Sequence, residues 1–153
     1  MTEVRSYEDI ENLSALLRDE PYKPILRTIG RVAEREGIEA YAVGGMVRDV
    51  LLGRSTTDLD FVTVGEDTGI ALAEAVAEEL GGRTAHVYPK FGTAAIRIPA
   101  EEILPADHPD DALVLEFVAA RKESYRSHSR KPVVETGTLE EDQNRRDFTV
   151  NAM

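Results

Sequence analysis

Asp58-Leu-Asp60 is the acidic pair best spaced for chemistry in this chain. Leu59 to Val64 is apolar and β-branched around Asp60, which predicts a strand. A spacing of two on a strand puts both carboxylates on one face, about 6–7 Å apart at the backbone. So placed, they can converge on a hard divalent ion such as Mg²⁺, and phosphoryl transfer commonly uses two metals about 3.5–4 Å apart. An isolated Asp-x-Asp is equally what a turn residue after Ser55-Thr56-Thr57, followed by a solvated strand residue, looks like. Glu116 interrupts the apolar run Leu113-Val114-Leu115-Glu116-Phe117-Val118. An ionised carboxylate there is costly unless paired or metal-bound. A neighbouring strand carrying Asp58 and Asp60 would account for it, and so would the exposed face of an edge strand.

Gly44-Gly45 falls between a short apolar run and a helical pattern. Glycines at such a turn let backbone N–H groups approach a phosphate, and a helix start favours negative charge. The Gly-Lys-Ser/Thr ending of a P-loop and the third glycine of a dinucleotide fingerprint are both missing, and an ordinary strand-to-helix turn has the same look. Arg48 can reach the same phosphate as a bidentate donor or pair with a carboxylate, and Asp49 beside it suits such pairing better than metal ligation. Arg145, Arg146, Asp147 and Asn151 form a last group, in which Asp147 and Asn151 share a face if the segment is helical. A solvated helix face looks the same. His86, His108 and His128 have no partner at metal-ligand spacing, and the absence of cysteine removes disulfides, thiolate nucleophiles and cysteine zinc sites.

Positioning these groups falls to a pattern of alternating short strands and helices. Apolar spacings of three and four in residues 8–20 and 24–36, with Pro21 and Pro24 between them, predict two helices joined by a tight turn. Ala40 to Val43 reads as a buried strand, Met46 to Leu52 as a helix capped by Gly53, and Gly69 to Leu80 as a helix ended by Gly81-Gly82. Thr84 to Tyr88, Thr93 to Ile98 and Leu113 to Val118 read as strands, the last two separated by an acidic loop from Pro99 to Asp111. Glu123 to Asn144 is polar, contains Pro132 and Gly137, and reads as a long mobile loop. From Arg145 the pattern turns helical and reaches Met153 with no capping signal, as if the chain stopped inside a helix. The expected class is α/β (α+β): a mixed sheet of about five strands flanked by helices.

At 153 residues the chain fits one domain, with no run long and apolar enough for a membrane span or a secretory leader, which predicts a cytoplasmic protein. The net charge is −11, but unevenly spread. Residues 1–120 hold 11 basic against 23 acidic residues, whereas Arg121 to Arg146 hold 7 against 5. An acidic body repels polyphosphate at long range, so tight binding of RNA or DNA by this chain alone is not expected.

Together the stretches Tyr41-Ala-Val-Gly-Gly-Met-Val-Arg-Asp-Val-Leu-Leu-Gly53, Asp58-Leu-Asp-Phe-Val62, Lys90-Phe-Gly-Thr-Ala94, Glu116 through Glu123 and Arg145-Arg-Asp-Phe-Thr-Val-Asn-Ala-Met153 resemble the catalytic head of the class II tRNA nucleotidyltransferase and bacterial poly(A) polymerase family. The resemblance covers residues 24–153 and leaves 1–23 as a helical extension of illegible role. It implies a nucleotidyltransferase palm that transfers CMP or AMP from CTP or ATP to the 3′-hydroxyl of tRNA and releases pyrophosphate, with no part for DNA or a membrane. By that resemblance Asp58 and Asp60 hold two Mg²⁺ ions, and Gly44, Gly45 and Arg48 carry the triphosphate. Asp147 and Asn151 meet the ribose, Arg145 or Arg146 assists with phosphate, and Glu116 is a less secure match to a third carboxylate. The Glu123–Asn144 stretch corresponds to the family's flexible loop.

Two departures qualify these implications. Thr57 stands where many relatives carry a basic residue. The chain also reaches Met153 before the downstream Glu-Asp-x-x-Arg helix that reads the base in the family, so this chain by itself is expected not to choose CTP over ATP and to turn over tRNA poorly. CCA addition, polyadenylation and partial CC or A addition share every motif present. A noncatalytic nucleotide-binding domain would be expected to have lost Asp58 or Asp60, and an antibiotic-modifying nucleotidyltransferase would not carry the Arg145–Met153 motif.

Overall fold

The computed structural model describes residues 21–52, 54, 56–107, 109–125, 132–138 and 140. Helix α1 (Lys23–Glu36) leads into β1 (Ala40–Val43), α2 (Gly45–Leu51), β2 (Asp58–Thr63) and α3 (Thr68–Glu79). Then come β3 (Ala85–Tyr88), a 3-10 turn (Pro89–Phe91), β4 (Thr93–Pro99), a short α4 (Ala100–Ile103), β5 (Ala112–Ala119), β6 (Arg121–Tyr125) and β7 (Pro132–Thr136).

Five strands form one mixed sheet in the order β1-β2-β5-β4-β3, in which only the β2–β5 pair is parallel. That one parallel pair needs a crossover, which α3, β3 and β4 supply. Side chains alternate along every strand, so each carries two sequences, one for each face. One face presents Leu59 and Phe61 of β2, Leu113, Leu115 and Phe117 of β5, and Ile96 and Ile98 of β4. Helices α1, through Ile25, Ile29 and Val32, and α3, through Leu72, Ala73 and Val76, cover this face and complete the core. The Phe61 and Phe117 rings stack across the parallel pair at 5.2 Å between centroids. Helix α3 comes so close to the sheet that a Cβ on Gly69 would lie 2.8 Å from the Ala119 amide nitrogen. Arg31 and Arg35 of α1 pair with Glu79 of α3 at 3.3 and 3.1 Å along the outer surface.

The five-strand mixed sheet agrees with the expected class, and α1 and α3 lie on the same face of it. Two elements differ from the sequence reading. The acidic stretch after Pro99 contains α4, closed by the Leu104 N–H donating to the Ala100 carbonyl at 2.7 Å. The polar stretch expected to be a long loop instead contains an antiparallel ribbon, in which β6 pairs with β7 from Arg121↔Thr136 to Tyr125↔Pro132. Pro132 stands at the first position of its strand, where the missing N–H does least harm. Val133, Val134 and Thr136 then supply β-branched residues that the surrounding polarity concealed. The predicted helix over 8–20, the Gly53 cap and the helical turn from Arg145 lie outside the described residues.

Candidate active site

Asp58, Asp60 and Val62 occupy the face of β2 opposite the core. The strand start is fastened from two sides. The Val114 amide donates to the Thr57 carbonyl at 2.8 Å, and the Thr57 hydroxyl donates to Asp110 Oδ2 at 2.9 Å. Asp58 is therefore the first residue of a paired strand rather than part of the preceding turn, with an exposed side chain. Parallel pairing aligns Asp60 with Glu116 of β5, on strands about 4.8 Å apart. Glu116 is exposed, and β5 lies between β2 and β4, so this residue is on the open face of a central strand. Among the described residues no group of three or more His, Asp or Glu side chains is gathered closely enough to hold a metal ion alone. Two carboxylates supply an oxygen-only donor set of the kind Mg²⁺ uses, since that ion is usually held by one or two carboxylates with substrate phosphates and water completing the octahedron.

Beside β2, β1 aligns Val43, its last residue, with Asp60, and Gly44 follows. Gly44 has φ of +76°, the left-handed region that side chains with a Cβ avoid, and its carbonyl accepts the Val47 amide at 3.2 Å to start α2. Arg48 folds back over Gly45, its Nη2 3.0 Å from where a Cβ there would sit. Its Nε donates to Asp49 Oδ1 at 3.2 Å, giving Asp49 the pairing role its position suggests. A guanidinium held by a neighbouring carboxylate over a bare glycine, one strand from Asp60, is a setting for an anionic ligand.

Cross-strand register extends the open face further than the sequence reading did. The row through Asp60 runs Val43, Asp60, Glu116, Ala95, His86, and the row through Asp58 continues with Val114 and Arg97. Arg97 and His86 are both exposed. Alternation within Thr93–Pro99 places Thr93, Ala95 and Arg97 on one face, but only the strand order reveals which residues share it. The sequence-derived site residues Arg145, Arg146, Asp147 and Asn151 lie outside the described residues.

An A-adding tRNA nucleotidyltransferase of Aquifex aeolicus is 43% identical over 116 residues, 76% of this chain and 12% of that protein. A CC-adding tRNA nucleotidyltransferase of Deinococcus radiodurans is 36% identical over 115 residues, 75% of this chain and 27% of that protein. A tRNA nucleotidyltransferase solved in complex with a primer tRNA and an incoming ATP analogue superposes with a TM-score of 0.57 at 39% identity, covering 81% of this chain and 29% of its own. The chain thus spans less than a third of each of these relatives. The family model for the poly A polymerase head domain matches residues 40–153, from β1 to the last residue, and the chain belongs to that family.

Proposed function

We propose that this chain is the catalytic head of an RNA 3′-end nucleotidyltransferase acting on tRNA in the cytoplasm, with ATP and CTP as donors. The observation that carries the reading is the shared open face of Asp58 and Asp60, with Glu116 in register beside Asp60 and the Gly45–Arg48 cradle one strand away. Asp58 and Asp60 would hold Mg²⁺, which when bound lowers the pKa of a coordinated hydroxyl and neutralises charge on the phosphates. Arg48 and the Gly44–Gly45 backbone would orient the triphosphate. The 3′-oxygen then bonds to the α-phosphorus as the bond from that phosphorus to the bridging oxygen breaks. The hydroxyl proton is lost to solvent and pyrophosphate departs.

Attacking and leaving oxygens stand roughly in line in such a transfer. With the triphosphate at the β1 edge, the RNA end approaches from the side of β5 and β4, over Glu116 and Arg97. Asp147 and Asn151, by the family resemblance, would read the ribose, with Arg145 or Arg146 near phosphate. Nothing described in this head distinguishes A from C, which fits relatives named for A addition and for CC addition alike.

The test is calorimetric titration of the chain with ATP, CTP and dATP, with and without Mg²⁺, beside Asp60→Ala. Expected are Mg²⁺-dependent binding of ATP and CTP with similar affinity, weaker binding of dATP, and loss in the variant. Binding that is indifferent to Mg²⁺, or that survives Asp60→Ala, overturns the assignment.

A further inference from the structure

No acidic residue lies between Glu79 and Glu101, the longest acid-free run in a protein with 29 acidic residues. Strands β3 and β4 and the 3-10 turn between them fill most of that run. Arg83 near its start is paired with Glu102, which leaves His86, Lys90 and Arg97 as the other basic or titratable groups of the hairpin. The same hairpin carries two of the four large hydrophobic side chains exposed among the described residues, Tyr88 at 53% and Phe91 at 57%. Neither ring contacts another aromatic ring among the described residues, and Lys90 Nζ stands 6.0 Å from the centre of the Phe91 ring.

Register puts Tyr88 on the face that carries Asp58 and Asp60. In β3, the exposed His86 and Tyr88 alternate with Ala85 and Val87, which pack against the core. Tyr88 ends the row Val62, Val118, Thr93, Tyr88, which runs beside the row of Asp60 and Glu116 on the same face. At about 4.8 Å per strand and about 3.3 Å per residue, its backbone lies about 14 Å across the sheet from Asp60 and about 7 Å along it. The turn that presents the two rings is held in place. The Gly92 N–H donates to the Pro89 carbonyl at 3.2 Å, and the Gly92 carbonyl accepts the N–H of Ala119, at the end of β5, at 3.4 Å. Gly92 itself has φ of +61°, which closes the turn into β4. Rings on a backbone already fixed lose little freedom on binding. Single exposed apolar side chains are ordinary, but two rings three residues apart on one fixed turn, in an acid-free hairpin, suit the flat faces of unpaired bases strung on phosphates.

We propose that the β3–β4 hairpin is the RNA platform of this head. Tyr88 stacks an unpaired base upstream of the reacting 3′-end, Phe91 extends the stack, and Lys90 meets a backbone phosphate. The proposal rests on the reading of Asp58 and Asp60 as the transfer centre. At its separation from Asp60, Tyr88 holds a base that precedes the reacting nucleotide rather than that nucleotide itself. Every base has a π-face, so such a platform selects a distance from the 3′-end and not a sequence.

Fluorescence anisotropy of a short 5′-labelled single-stranded RNA at low salt tests it. Tyr88→Ala should weaken binding about tenfold, and Tyr88→Phe, which keeps the ring, should restore most of the loss. The same RNA with one base removed at successive positions locates the stack. Removal of one particular upstream base should cost the parent about tenfold and cost Tyr88→Ala nothing further. Lys90→Ala should lower the slope of log affinity against log salt by about 0.7, a slope that the uncharged Tyr88→Ala leaves alone. RNA binding that Tyr88→Ala does not weaken overturns the proposal, as does a base removal that weakens parent and variant alike at every position. A loss that Tyr88→Phe repeats in full assigns the effect to the hydroxyl and overturns stacking. A parent that binds no RNA overturns the platform whatever its nucleotide binding. Failure of the underlying reading shows in a separate titration, as Mg²⁺-dependent ATP binding that survives Asp60→Ala.

Discussion

The two faces of the central sheet are made by alternate residues of the same strands, and they answer to opposite demands. In β2, Leu59 and Phe61 enter a core that holds no charged side chain among the described residues, while Asp58 and Asp60 on the reverse side share rows with the exposed Glu116, His86 and Arg97. In β5, Leu115 and Phe117 are fully buried while Glu116 between them is exposed. Holding Asp60 opposite Glu116 sets like charges against each other, an arrangement that weakens a sheet unless a cation sits between them. The covered face therefore stabilises a geometry that the open face would not select, and rigidity is exported through the backbone from one to the other.

Separable damage is the first consequence. Leu115→Ala on the covered face removes a fully buried side chain flanked by Leu59 and Ile96 in register. It should cost about 3 kcal/mol and lower the midpoint by roughly 10 °C, measured by thermal unfolding. Mg²⁺–ATP affinity per folded molecule should not change at temperatures where the variant is folded. A comparable loss of affinity would show that the faces are not independent. Asp60→Asn tests the converse. It should reduce Mg²⁺-dependent ATP affinity at least about 100-fold, about 2.8 kcal/mol, while the two proteins melt within a few degrees of one another without Mg²⁺. Added Mg²⁺ should raise the midpoint of the parent by ligand linkage and leave that of the variant where it was.

Local alternation made one half of this comparison legible from sequence. The apolar, β-branched composition of Leu59–Val64 and the apolar run Leu113–Val118 marked both strands, and Asp60 and Glu116 stood out as the charges interrupting them. Strand order was not legible, because pairing β2 with β5 joins residues 56 apart and pairing β5 with β4 joins residues 13 to 25 apart, and no local pattern records it. For that reason Glu116 stayed ambiguous between an edge and a central strand, and Arg97 and His86 were not connected with the carboxylates at all. The β6–β7 ribbon was concealed for a different reason. Its strands are only five residues each, and their sequences, Arg121-Lys-Glu-Ser-Tyr125 and Pro132-Val-Val-Glu-Thr136, lie within a stretch whose polarity reads as loop.

Within the open face, the β1 edge and the β4 side should bind different things. Arg48→Lys keeps the charge but loses the planar fork, and should weaken ATP about tenfold, about 1.4 kcal/mol, while leaving AMP nearly unaffected. Gly45→Ala should act in the same direction and less strongly, since its new methyl would press on the Arg48 guanidinium, the movable end of a flexible side chain. Equal losses for ATP and AMP would move Arg48 away from the terminal phosphates.

Arg97 gives the smallest and most discriminating effect. It lies two strands from Asp58, exposed, on the side from which the proposed RNA end would come, where an arginine could reach one backbone phosphate. Arg97→Ala should weaken binding of a short single-stranded RNA by only a few-fold at low salt, because the acidic body opposes the association throughout. Neutralising one phosphate contact should also reduce the slope of log affinity against log salt by about 0.7. ATP affinity should stay the same. A variant that loses ATP and RNA together would put the triphosphate over β4 and reverse the polarity of the face, whereas a loss confined to RNA places the two substrates on opposite sides of Asp58 and Asp60, as displacement at the α-phosphorus requires.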